Sequence, residues 1–75
     1  MDYNKGDALR LLGRRITQLR LERQMTIDTL AARTGLDPIE LTAIESGRID
    51  IPITTIFLLS RAFGIAPDQF LDFLP

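Results

Sequence analysis

The chain has 75 residues, with nine Lys and Arg against ten Asp and Glu, and contains neither Cys nor His. A chain this short forms one small domain whose apolar residues must go to a core or a partner. Without Cys or His it lacks thiol chemistry and the commonest metal ligand and general base, so no catalytic residue, metal or cofactor is expected.

No apolar run approaches the ~18 residues of a membrane span. The opening MDYNKGD has no signal-like apolar stretch. A soluble cytoplasmic domain is expected, spanning residues 1–75, with its core at about 9–74 and residues 1–6 as a flexible arm.

From Asp7 to about Arg23, Leu9, Leu12, Ile16 and Leu19 recur at steps of three and four with arginines between them. This is the period of an amphipathic helix. Its charge is distinctive, since residues 10–25 carry a net +4 while residues 26–50 carry −3. A basic helix of this kind either meets phosphates or presents a solvated face.

Thr26 is suited to cap a short second helix that contains Leu30 and Ala31 and closes at Gly35. Asp37-Pro38-Ile39-Glu40 then predicts a new start. Asp caps free amides, Pro is tolerated at the first helical position, and a Glu three residues after the cap completes a capping box. Helix 3 runs to about Ser46, with Leu41 and Ile44 inward and Gly47 as its stop.

Pro52 stands near the start of a fourth helix that carries Ile56, Phe57, Leu59, Ala62 and Phe63 before Gly64, and Ala66-Pro67-Asp68-Gln69 opens a short fifth with Phe70, Leu71 and Leu74. The fold class is all-α. Only Gly35, Leu36 and Asp37 separate helices 2 and 3, so the two must cross at a wide angle, as in a helix-turn-helix. Ala31 permits the close approach, and Leu30, Leu36, Leu41 and Ile44 fill the wedge.

These residues resemble the lambda-repressor-like, XRE-type helix-turn-helix family. LGRRITQLRLERQMT is similar to its first helix, TIDTLAARTGLDPIELTAIESGR to its helix-turn-helix and following loop, and IPITTIFLLSRAFGIAPDQFLDF to its last two helices. The most telling details are Ala31, Gly35, the Ile-Glu-x-Gly of Ile44 to Gly47, and the Ala-Phe-Gly that ends helix 4. The resemblance implies a compact five-helix domain that binds operator DNA as a homodimer, with helix 3 in the major groove, and regulates transcription. It also implies an ion pair between Arg20 and Glu45.

Transferred to this chain, the family's base and phosphate contacts fall on Ile27, Pro38, Ile39, Glu40, Thr42, Ala43, Ser46 and Arg48. Thr26 and either Arg14 or Arg15 are the remaining candidates for gripping phosphate. The chemistry departs from the family, because Ile27, Pro38, Ile39 and Ala43 form no side-chain hydrogen bond with a base edge. Apolar groups can still contact thymine methyls. Asp37 and Glu40 oppose phosphate unless engaged in capping.

The same apolar group supports a second reading, in which the frame serves as a protein-interaction module with weak or no DNA binding. Helices 4 and 5 carry more apolar residues than one inner face needs. Ile51, Ile53, Leu58, Phe73 and Leu74 are therefore candidates for a dimer interface.

Overall fold

The computed structural model describes residues 4–73. Among them are five helices and no strand: α1 (Lys5–Glu22), α2 (Ile27–Thr34), α3 (Pro38–Glu45), α4 (Ile53–Phe63) and α5 (Pro67–Phe70). Helix α1 starts two residues earlier than its apolar pattern predicts. Asn4 caps it by accepting the Asp7 amide at 2.8 Å, so Lys5 and Gly6 belong to the first turn and not to an arm.

The other starts follow their sequence signals. Thr26 accepts the Thr29 amide at 3.0 Å, and Asp37 accepts the Ile39 amide at 2.7 Å and, more weakly, that of Glu40 at 3.4 Å. The Glu40 carboxylate does not return a bond to the Asp37 amide, so only half of the expected capping box forms among the described residues. At α5 the reverse half is present. Gln69 Oε1 accepts the Ala66 amide at 3.1 Å, while Ala66 has no side-chain acceptor to offer.

Two helix ends show how the chain is turned. After α3, the Gly47 amide bonds to the Ile44 carbonyl and the Arg48 amide to that of Ala43, both at 3.0 Å. This requires a left-handed residue, and Gly47 has φ 76°. After α1 the same arrangement is built on Gln24, the one non-glycine with positive φ (55°) among the described residues. No glycine marks that stop.

Ile16, Leu19, Leu30, Leu41, Ile44, Leu59, Phe63 and Phe70 form a continuous buried core with Met25 and Ala31. The α2–α3 wedge is as the spacing predicts, with Leu30, Leu41 and Ile44 fully buried, Ala31 buried, and Leu36 packed against them. Thr34 adds a detail the spacing does not predict. Its buried hydroxyl donates to the Leu30 carbonyl at 2.8 Å and accepts the Leu36 amide at 3.3 Å, which ties the three-residue turn to the end of α2.

Arg15 and Arg20 of α1 and Arg23, its C-cap residue, hold the domain together from outside this core. Arg15 donates through Nε to the Phe70 carbonyl and through Nη2 to that of Gln69, each at 3.1 Å. Arg23 donates through Nε to the Phe63 carbonyl at 2.9 Å while its guanidinium lies 5.4 Å from the Phe63 ring centroid. Both place a cation at the negative end of a helix, α5 and α4 respectively. Arg20 reaches the end of α3, binding Glu45 through Nε at 2.8 Å and Nη2 at 3.0 Å.

Candidate nucleic-acid interface

The Arg20–Glu45 pair sets where α3 ends. Its side chains are 14% and 10% exposed, and Arg20 engages both Glu45 oxygens, with Thr17 donating in addition to Oε1 at 2.7 Å. Arg20 also donates through Nη1 to the Met25 carbonyl at 2.9 Å. The hydrogen bond to Glu45, opposed by desolvation and aided by the same charge, raises the Arg20 pKa above its ordinary value. The guanidinium stays charged. The implied pair is therefore present as a positioning device within the fold.

With that end fixed, the outer face of α3 and the start of α2 enclose an open concavity of about 390 Å³. Ile27, Pro38, Ile39, Thr42, Ala43 and Arg48 line it, together with Asp28. Six of the candidate contact residues are thus brought to one surface. Ile39 is 81% exposed, Pro38 and Thr42 are exposed, and Ala43 is half-buried. Arg48 joins them because the bond from its amide to the Ala43 carbonyl folds the chain back along α3.

The polar atoms of this surface are largely committed within the chain. Thr42 donates its hydroxyl to the Pro38 carbonyl at 2.9 Å, and Ser46 donates to the Ala43 carbonyl at 2.9 Å while accepting Arg48 Nε at 3.0 Å. Thr26, also exposed, shares a hydrogen with the Thr29 hydroxyl at 2.9 Å. Asp37 is engaged in capping, whereas Asp28, exposed, lines the concavity itself.

The basic stretch of α1 divides differently from the sequence expectation. Arg15, offered as the alternative to Arg14 for a phosphate contact, has two of its donors on the carboxyl end of α5 and lies 5.8 Å from the Phe73 ring centroid. Arg10 pairs with Asp7. The Arg14 side chain is exposed and has no hydrogen bond or ion pair among the described residues. It stands one turn beyond Arg10, whose backbone lies against Gly47, and so flanks the side of α1 that faces the α3–α4 loop.

The dimer candidates also separate. Ile53 is 62% and Leu58 41% exposed, and Phe57, which the sequence reading placed among the apolar residues of helix 4 without assigning it to an interface, is 55% exposed beside them. Ile51 instead packs against the core, and Phe73 is half-buried beside Arg15. Leu74 lies outside the described residues.

The HTH_3 helix-turn-helix family matches residues 16–70, which takes in everything from the middle of α1 to the end of α5. The chain belongs to this family. It is 30% identical over 60 residues to an uncharacterized HTH-type transcriptional regulator, y4dJ, of Sinorhizobium fredii, covering 80% of this chain and 78% of that one. Among solved structures, it is similar to the restriction-modification controller protein C.AhdI from Aeromonas hydrophila, with 28% identity, a TM-score of 0.81, and coverage of 84% of this chain and 96% of the controller.

A second controller, C.Esp1396I, solved as a tetramer in complex with its natural 35 base-pair operator, matches with 25% identity and a TM-score of 0.79, covering 85% of this chain and 84% of that one. No described helix of the present chain is long and apolar enough to cross a membrane.

Proposed function

We propose that this helix-turn-helix protein is a sequence-specific, DNA-binding transcriptional regulator of the XRE type that acts in the cytoplasm as a homodimer on operator DNA. The observation that carries this reading is the concavity beside α3. Residues from three separate elements, Ile27, Ile39 and Arg48, meet on one solvent-facing surface, while the Arg20–Glu45 pair and the α2–α3 wedge hold the angle between the helices. Helix α3 enters the major groove with its amino end and outer face toward the bases.

Phosphate is gripped by Arg14, by the terminal nitrogens of Arg48, and by the amide-bearing start of α2. Self-association buries Ile53, Phe57 and Leu58 on α4, which are exposed in the single chain. The two copies then present α3 to successive major-groove faces about 34 Å apart. The operator-bound relative and its tetrameric assembly support this arrangement.

The exposed Ile39, set among carboxylates, also favours a second reading in which the same surface docks a protein. Selection of genomic DNA fragments at low salt, followed by hydroxyl-radical footprinting, separates the two. The regulator reading gives a footprint of two protected patches one helical turn apart, with affinity that falls only shallowly as salt rises, because few cations engage phosphate. Failure to retain any fragment, with co-purification of a protein that is lost on Ile39→Asp, establishes the docking reading instead.

A further inference from the structure

The hydrogen-bond inventory of the α3 face limits which bases it can read, provided the chain binds DNA as proposed above. Most major-groove edges present acceptors: N7 of both purines, O6 of guanine and O4 of thymine. To meet them a surface needs donors. Ile27, Pro38, Ile39 and Ala43 have none in their side chains, and the Thr42 and Ser46 hydroxyl hydrogens are already given to the Pro38 and Ala43 carbonyls. The Arg48 Nε is held by Ser46, which leaves only its terminal nitrogens.

A purine acceptor placed against Ile39 would lose its water without gaining a partner, which is costly. A pyrimidine 5-methyl group gains from the same contact.

We propose that this protein recognises its operator through pyrimidine C5-methyl groups, which the exposed Ile39 side chain and the Ala43 methyl contact in the major groove. The carboxylate of Asp28 and the lone pairs of Thr42 accept from the exocyclic amino groups of adenine and cytosine and repel the carbonyls of guanine and thymine, so a thymine is read through its methyl with O4 turned away from them. Two sources supply the methyl group, thymine and 5-methylcytosine.

The test uses duplexes enriched from a random library by the intact protein, with fluorescence anisotropy as the readout. Replacing each thymine in turn by deoxyuracil removes one methyl and nothing else, and at contacted positions affinity falls about fourfold per methyl. Where 5-methylcytosine is the source, uracil replacement is silent and methylating a cytosine strengthens binding by a similar factor. Ile39→Ala narrows the discrimination, so that methylated and unmethylated duplexes differ less in affinity for it than for the parent, while its melting temperature matches the parent.

Tight binding that neither uracil replacement nor cytosine methylation alters overturns the methyl readout and leaves the DNA-binding function standing. Failure to enrich any duplex overturns both.

Discussion

Gly13 and Glu45 are in backbone contact across the α1–α3 crossing. A Cβ on Gly13 would lie 2.4 Å from the Glu45 carbonyl oxygen and 2.7 Å from that of Ile44. Both obstacles are main-chain atoms at the end of α3, so neither can rotate away. The crossing therefore requires a glycine in mid-helix despite its cost of roughly 1 kcal/mol in helix propensity.

Gly13→Ala is accordingly expected to destabilise the domain by about 2 kcal/mol or more, because the forced separation of α1 from α3 outweighs the gain in propensity. Urea denaturation measures this directly. A variant as stable as the parent would show that the two helices can part without loss.

The Arg20–Glu45 pair should behave as a coupled unit. Arg20→Ala leaves a nearly buried carboxylate facing only the Thr17 hydroxyl, and is expected to cost about 3 kcal/mol, whereas replacing both residues by apolar side chains costs less than the sum of the single changes. Because the Arg20 pKa is raised in the folded state, its contribution is complete below the ordinary arginine range. It is lost only as pH rises through that higher value. The coupling measured by a double-mutant cycle at about pH 6 should then equal that at about pH 9.

Two neighbouring arginines separate structure from binding. Arg15→Ala removes the hydrogen bonds to the Gln69 and Phe70 carbonyls, and should lower the melting temperature while leaving the salt dependence of DNA affinity unchanged. Arg14→Ala should do the reverse, with unaltered melting and a log–log salt slope shallower by about 0.9, the value for one phosphate.

Ser60 is 1% exposed and its hydroxyl has no hydrogen-bond partner among the described residues. Burying a hydroxyl without a partner is unfavourable, and alanine is the better helix former. Ser60→Ala should therefore stabilise the domain by about 1 kcal/mol, read as a higher urea midpoint at constant slope.

Much of the frame was legible because its signals are local. Thr26, Gly35, Asp37, Gly47 and Gly64 each act on amides or carbonyls within a few residues, and their helix ends fall where the sequence places them. Arg15 and Arg23 were not legible in the same way. Arg15 bonds 55 residues away to Phe70 and Arg23 bonds 40 residues away to Phe63, so their roles depend on tertiary placement that charge counting does not contain.

Helix α4 was ambiguous for another reason. Ile56-Phe57-Leu58-Leu59 is apolar throughout and has no period of its own, and the structure buries Ile56 and Leu59 while leaving Phe57 and Leu58 exposed. The stop at Gln24 carried no glycine to mark it. Gly13 did leave a signal, an isolated glycine inside a helical pattern, which is a common sign of close packing.

Ile39 is the position at which contact between the outer face of α3 and DNA is tested most directly. Its side chain is 81% exposed, so Ile39→Asp adds a charge without disturbing the core. Anisotropy titration of an enriched duplex with parent and variant, alongside their melting curves, is the measurement to make. The expected result is an affinity at least about tenfold weaker for the variant, since a carboxylate then faces the polyanion, with melting unchanged. Equal affinities at equal stability would contradict that contact.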